Sequence, residues 1–295
     1  IRAARDGGAA RFAAELRGSP VALHTRAANE QHYEVPTAFF AAVLGPRLKY
    51  SSGFWEEPAT DLAHAEESML NLTCSRAQLR DGQDVLELGC GWGSLTLFMA
   101  ERFPRSRITA VSNSRTQKQH IEEQARRRGL GNVSVITADM NDFAIAETFD
   151  RIVSVEMFEH MRNYEELLAR VRRWLRDDGR LFVHIFCHRA FAYAFETDGN
   201  QDWMARYFFT GGIMPSYNLF SHFGRDMRVL ESWPVNGCHY ARTLEAWLAN
   251  MDRQRASLWP LFEQTYGPSQ ASRWWVYWRV FFMACSELFA YRGGA

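Results

Sequence analysis

Val85-Leu86-Glu87-Leu88-Gly89-Cys90-Gly91-Trp92-Gly93-Ser94 reads as a β-strand that runs into a glycine-rich turn and then opens a helix. Outward from this turn, short β-branched runs alternate with longer stretches of helical spacing. They are Asp84 to Leu88, a helix Ser94 to Phe103, Arg107 to Ser112, a helix Ser114 to Arg128, Val133 to Thr137, Phe149 to Val155, a helix Tyr164 to Arg176, and Arg180 to Phe186. Such a βαβ series predicts an α/β fold whose parallel sheet is covered on both faces. Gly129 after a basic helix end, and Asp177-Asp178-Gly179 after Leu175, are the expected helix stops. Upstream, Asp61 is placed to cap a helix running to Leu79, and His32 to Leu44 reads as partly helical. Downstream, Asp226 to Val235 reads as a strand, followed by helices near Leu244 to Asp252 and Ser272 to Phe289.

Composition narrows the function. The 295 residues are 47% hydrophobic, enough for a large core, and no repeat or linker divides them. Lys+Arg 34 against Asp+Glu 34 leaves no net charge, so no broad field is available for nucleic acid or anionic lipid. Only Lys49 and Lys118 are lysine; arginine supplies the remaining positive charge. Charged residues from Arg2 to Arg17 break any signal-peptide core, and no run of eighteen apolar residues occurs, so a cytoplasmic chain without stable membrane association is expected. The five cysteines are odd in number, widely spaced and free of any C-x-x-C pair, which suits a reducing compartment and argues against thiolate zinc.

The turn itself suggests a nucleoside ligand, because glycines allow backbone amides to approach one closely. A dinucleotide site would place glycine at position 94 and an acid about twenty residues on. Position 94 is serine, and Arg102 to Ile121 contains no Asp or Glu, which disfavours NAD. Glu87 beside the turn, Ser112, Asn113 and Gln117 after the second strand, and Asp139 and Met140 after the third suit a smaller nucleoside, the last two at its base. The competing reading is a tight strand-to-helix turn that holds nothing.

Several further strings carry a family resemblance over His32 to Tyr291: His32-Tyr33-Glu34-Val35-Pro36, Tyr50-Ser51-Ser52, Ser112-Asn113-Ser114-Arg115-Thr116-Gln117-Lys118, Ser154-Val155-Glu156-Met157-Phe158-Glu159-His160-Met161, Phe182-Val183-His184 and Tyr207-Phe208-Phe209-Thr210-Gly211-Gly212. With the glycine turn, they resemble the S-adenosylmethionine-dependent methyltransferases of the cyclopropane-fatty-acid-synthase superfamily, and more narrowly the plant coclaurine N-methyltransferases. The resemblance implies a class I Rossmann-like methyltransferase sheet, with residues 1–80 as an N-terminal helical cap over the active site. Residues 81–295 would form the S-adenosylmethionine-binding core with helical additions covering the substrate, all in one compact unit. It implies that Tyr50, Ser51, Gly89 and Gly91 hold the methionine part of the cofactor and that Ser112 and Gln117 hold the ribose; Gly93, Asn113 and Val155 are expected to join Glu87, Asp139 and Met140 in the cofactor site. The family also carries a last strand beyond the position of Ala295.

Two branches of the superfamily use this scaffold differently. The lipid branch holds a bicarbonate base at positions matching Glu159, His184 and Tyr240, together with a cysteine that is Ser52 here. Its residue before the Met-Phe-Glu-His string is small, whereas here it is Glu156. The amine branch shares the Glu-Met-Phe-Glu-His string, and its catalytic pair corresponds to Glu156 and His160. The resemblance therefore favours N-methylation of a small benzylisoquinoline- or arylalkylamine-like amine over methylene or methyl transfer to unsaturated acyl chains.

The chemistry accounts for those residue types. A sulfonium methyl is already activated, so the enzyme has to present a neutral nitrogen lone pair in line with it and take up a proton. A secondary alkylamine titrates near about 10, and reaching its neutral form at pH 7 costs roughly 4 kcal/mol. Glu156 would bind the ammonium while His160 accepts the proton, or the two exchange roles; at i and i+4 they share a face if the segment is helical. Glu159 is expected behind them. Charged residues at a capped helix start are the alternative. A metal site built from Glu156, Glu159, His160, His184 and His188 is disfavoured, since the spacing is not His-Glu-x-x-His and sulfonium transfer needs no Lewis acid.

Near the C-terminus, Arg273-Trp274-Trp275-Val276-Tyr277-Trp278-Arg279-Val280-Phe281-Phe282 carries more aromatics than one helix face requires, although a stripe at this spacing is more often core than pocket. The resemblance assigns Tyr277, Trp278, Phe281 and Phe282 to a cavity for flat rings, with Tyr33, His184 and Tyr240 as further substrate residues. Asp202 to Pro215 resembles a lid hinged at Gly211-Gly212, or else an ordinary surface loop. Whether the chain forms a homo-oligomer is left open by the sequence.

Overall fold

The computed structural model describes residues 8–23, 36–56, 61–195 and 203–294. Five strands, β1 (Asp84–Leu88), β2 (Arg107–Ser112), β3 (Val133–Thr137), β4 (Phe149–Val155) and β5 (Leu175–His184), form one sheet in the order β3-β2-β1-β4-β5. Every neighbouring pair is parallel. Strand order reverses between β1 and β4, so their C-terminal ends border the crevice where open α/β sheets bind ligands. A short antiparallel ribbon pairs β6 (Tyr193–Ala194) with β7 (Ile213–Met214).

Local signals place the helices. Ser114 Oγ accepts from Gln117 N at 3.3 Å to start the helix Arg115–Arg127, and Gly129, at φ +68°, ends it by donating to Arg126 O. Asp61 Oδ1 accepts from His64 N at 2.9 Å, as expected for a cap. That helix spans Leu62–Arg76 and stops short of Leu79, because Gln78 turns left-handed at φ +54°. The helix Tyr164–Trp174 stops before Asp177-Asp178-Gly179, but the strand then starts at Leu175 and ends at His184. A register shift between Phe149 and Arg151 absorbs the extra residues.

Three expectations fail for tertiary reasons. Asp226 to Val235 contains no strand: nothing pairs with it among the described residues, and Val229 and Leu230 are 56% and 58% exposed. A β-rich composition makes a strand only where a ladder partner exists. The helix Arg255–Tyr266 goes unforeseen because Pro260 lies inside it. Glu156 to His160 is not helical: Glu156 sits at φ +50° and only Phe158–His160 makes a single 3₁₀ turn.

The described chain divides into two compact units. One comprises described residues within 1–31, 76–90 and 96–232; it holds the sheet, packed around Leu86, Ile152, Phe158, Leu167 and Val171. At the N-terminal end of this sheet, Asp84 accepts from Arg107 Nε (2.5 Å) and Arg176 Nη2 (2.5 Å), tying together residues flanking β1, β2 and β5. The Arg107 hydrogen bond chiefly, opposed by burial and aided by Arg176, holds the Asp84 carboxyl below the usual carboxylate range. A depressed folded-state value stabilises the fold above the unfolded value of about 3.9 and is lost as pH falls through the folded one. Asp84→Asn is therefore expected to melt a few degrees lower than the parent at pH 7. The gap should close progressively below about pH 4; thermal melts from pH 7 to pH 3 measure it, and a constant gap would remove the charge from the explanation.

The second unit, from described residues within 32–75, 91–95 and 233–295, is helical. Its core is aromatic: Phe39, Phe40, Trp247, Phe262, Trp278 and Phe282 are each at most 1% exposed. Trp278 packs on Phe39 at 4.7 Å and on Phe282 at 5.7 Å, and its Nε1 donates to Tyr266 Oη at 3.2 Å. No described helix is long and apolar enough to cross a membrane.

Candidate active site

In the first unit the predicted cofactor residues gather at the C-terminal ends of β1, β2 and β3. Glu87, 3% exposed, accepts from Thr96 Oγ1 at 2.5 Å. Burial pushes its carboxyl up to about 8, against the Thr96 bond, so it largely carries its proton at pH 7. Thr96 escaped the sequence reading; only its place on the helix after the turn marks it. Gly89, at φ +78°, is close against Met157, where an added Cβ would lie 2.6 Å from Cγ. Its requirement for glycine is thus packing as well as backbone conformation.

After β2, Ser112 Oγ donates to Gln117 Oε1 at 2.6 Å and accepts from Ser114 N at 2.9 Å. This leaves Gln117 Nε2, a buried amide donor, without a hydrogen-bond partner. An orphaned buried donor is costly unless a ligand oxygen meets it, and a ribose hydroxyl is such an acceptor. Asn113 is half-buried beside this pair. Asp139 Oδ1 accepts from Asn141 N at 2.8 Å after β3, and Met140 is buried in the core.

The turn after β4 carries the acidic and basic residues. Val155 is half-buried at the strand end, and Glu156 follows it in the left-handed region, where a non-glycine residue is strained by on the order of 1–3 kcal/mol. Glu156 N donates to His184 O at 2.8 Å, and its Oε1 lies 3.9 Å from His184 Nε2. Parallel pairing of Val155 with His184 puts these two side by side. Glu159 is 1% exposed; Oε1 accepts from Phe186 N at 2.7 Å, while Oε2 has no hydrogen-bond partner. Burial first, and then the negative charge of Glu156, raise the Glu159 carboxyl well above its ordinary value. Burial pushes His160 down to about 4, leaving a neutral imidazole at pH 7.

Arg162 was missed from sequence. Only 9% exposed, it donates to the carbonyls of Gly211 (3.1 Å) and Gly212 (3.2 Å), pinning the predicted hinge. Gly211 takes φ +77°. Asp202, at the start of the predicted lid, and Tyr33 lie outside the described residues. Among the described residues, no three His, Cys, Asp or Glu side chains come together as a metal site.

In the second unit, Gly91 and Gly93 adopt φ +53° and +83°, and a Cβ on Gly91 would meet nothing within 4 Å among the described residues beyond its chain neighbours. Backbone bent for glycine and facing open space is suited to a ligand that touches amides. Ser51 is buried and accepts from Lys49 Nζ, while the Tyr50 ring packs against Phe40 (5.2 Å) and Trp247 (5.5 Å). Tyr240 stacks on Phe289 at 4.3 Å and meets Trp247 edge-on. Of the C-terminal aromatics, Trp278, Phe281 and Phe282 are buried together, whereas Tyr277 is half-buried and accepts from Arg273 Nε at 2.9 Å.

Known proteins match this arrangement over most of the chain. The mycolic acid cyclopropane synthetase family model matches residues 22–293. An (S)-coclaurine N-methyltransferase from Thalictrum flavum subsp. glaucum is 41% identical, over 95% of this chain and 78% of that enzyme. The crystal structure of a coclaurine N-methyltransferase bound to N-methylheliamine and SAH superposes with a TM-score of 0.94, at 40% identity, covering 98% of this chain and 84% of that one. A cyclopropane-fatty-acyl-phospholipid synthase from Escherichia coli strain K12 is 32% identical, over 80% of this chain and 58% of that enzyme. The two amine enzymes are thus nearer than this lipid enzyme in both identity and extent. The chain belongs to the mycolic acid cyclopropane synthetase family.

Proposed function

We propose that the protein is an S-adenosylmethionine-dependent N-methyltransferase acting on a small aromatic amine of the benzylisoquinoline or arylalkylamine type. The observation that carries this reading is the TM-score of 0.94 at 40% identity to a structure holding an N-methylated amine and SAH. Glu156, standing where the lipid branch has a small residue, supports it further.

When bound, S-adenosylmethionine supplies a sulfonium methyl that needs no further activation. Gly89, Gly91, Gly93, Tyr50 and Ser51 would hold its methionine part, Ser112, Asn113 and Gln117 its ribose, and Asp139 and Met140 its base, with Glu87 and Val155 at the turn. The orphaned Gln117 Nε2 and the open space beside Gly91 fit such a ligand. Glu156 binds the substrate ammonium and opposes its escape. Its strained backbone fixes the carboxylate in one direction. His160 or Glu156 takes up the amine proton, with the buried Glu159 as their neighbour. His184 orients Glu156. Tyr33, Tyr240 and Tyr277 would supply the aromatic surroundings of the substrate, backed by the buried Trp278, Phe281 and Phe282.

The test is label transfer from methyl-labelled S-adenosylmethionine to benzylisoquinolines, arylethylamines and unsaturated phospholipid vesicles, with products identified by fragmentation. Mass alone does not distinguish N-methylation from cyclopropanation, since both add one carbon and two hydrogens. Label on nitrogen is expected; label in acyl chains would overturn the reading.

A further inference from the structure

Residues 45–52 are folded around a single buried carboxylate. Glu66, with 0% exposure on the helix Leu62–Arg76, accepts from the backbone N–H groups of Gly45 (3.1 Å), Arg47 (2.9 Å) and Lys49 (3.2 Å). An added Cβ on Gly45 would lie 2.5 Å from Glu66 Oε2, so a larger residue there would displace the carboxylate. Leu48 is forced to φ +51°, a conformation that costs a leucine on the order of 1–3 kcal/mol and persists only where its surroundings hold it. So much local constraint on an irregular segment calls for an account of what it positions.

The answer lies one step along the chain. Lys49, only 3% exposed and one of two lysines in the protein, donates from Nζ to Ser51 Oγ at 2.5 Å and to Ser52 O at 2.8 Å. A lysine ammonium has three donors and no acceptor. The Ser51 oxygen is therefore the acceptor in this bond, and its own hydrogen is directed elsewhere. A hydroxyl fixed as a donor, and polarised by a cationic nitrogen on its oxygen, suits an anionic acceptor.

We propose that Lys49 is a positioning residue for the cofactor: by donating to Ser51 Oγ it fixes that hydroxyl as a donor to the α-carboxylate of the methionyl group, while Glu66 holds the segment that carries both. This rests on the reading of Ser51 as a cofactor residue. The alternative is a purely structural lysine that balances the charge of Glu66. The two differ in one observable: a positioning role depends on the ligand's carboxylate, and a structural one does not.

The experiment is calorimetric titration of the full chain with S-adenosylhomocysteine and with its decarboxylated analogue. Lys49→Met is expected to weaken S-adenosylhomocysteine by roughly tenfold to hundredfold, the usual scale of a charge-assisted hydrogen bond. The decarboxylated analogue should change by less than about twofold, and Lys49→Arg should recover part of the loss. Equal weakening of both ligands, or none of either, overturns the proposal. Ser51→Ala separates the two layers. If it leaves the preference for the carboxylate-bearing ligand intact, the reading of Ser51 itself falls; if it erases that preference while Lys49→Met does not, only the role of Lys49 falls. Should Lys49→Met fail to fold, Lys49→Gln, uncharged and one atom shorter, is judged by the same ratio of affinities.

Discussion

Gly91→Val is expected to abolish S-adenosylmethionine binding, weakening it at least hundredfold while leaving the protein folded. Gly91 sits at φ +53°, a region that L-residues occupy at a cost of roughly 1–2 kcal/mol and β-branched ones least readily. Among the described residues, its chain neighbours apart, no atom lies within 4 Å of the position a Cβ would take, so the new side chain would not meet the described core and would enter the space proposed for the ligand. Gly89 contrasts with it. A Cβ there would lie 2.6 Å from Met157 Cγ, and substitution at Gly89 would confound packing with binding. Calorimetry with S-adenosylhomocysteine, alongside a thermal melt, reads the effect. Affinity retained within tenfold in a folded variant would mean that the turn does not approach the cofactor.

Glu156→Ala is expected to lower kcat by at least tenfold with cofactor affinity nearly unchanged. The substitution removes the charge proposed to bind the ammonium and the partner 3.9 Å from His184 Nε2. Groups that bind and deprotonate in this manner contribute roughly 10²–10⁴ to rate. It also removes the negative neighbour that helps raise the Glu159 carboxyl, though burial, the larger cause, remains. Alanine keeps the left-handed strain at position 156, so the change tests the carboxylate and not the backbone. Steady-state rates with the best acceptor, paired with calorimetry, separate kcat from binding. An undiminished kcat would remove Glu156 from the mechanism, and a matching loss of cofactor affinity would make its role structural.

Signals that act within a few residues were legible in the chain itself. Strand runs, the Ser114 and Asp61 caps, Gly129 and the glycine turn each depend on φ/ψ preferences or on hydrogen bonds between near neighbours, and those depend little on the rest of the fold. The Glu-Met-Phe-Glu-His string was equally readable, because Glu156, Glu159 and His160 are close in sequence. What the string does with them was not. A left-handed Glu156 followed by one 3₁₀ turn replaces the expected shared helical face, because β4 ends against His184 of β5 and the chain has to turn there.

Long-range placement belonged to the tertiary structure. Pairing of β4 with β5 puts His184 beside Glu156, burial pushes His160 down to about 4, and burial together with the charge of Glu156 raises Glu159 well above its ordinary value. The Asp226 to Val235 stretch has strand composition but acquires no ladder, and Trp278, Phe281 and Phe282 are covered by helices distant in sequence. No local pattern marked Lys49, Glu66 or Arg162, because each acts on backbone groups that only the folded chain brings within hydrogen-bond reach. By itself, then, the sequence determined the succession of strands and helices along the chain, the glycine turn and the chemical types of the candidate site residues. Which groups meet, and in which protonation state, the tertiary structure alone decided, since both depend on desolvation and on neighbours contributed by remote segments.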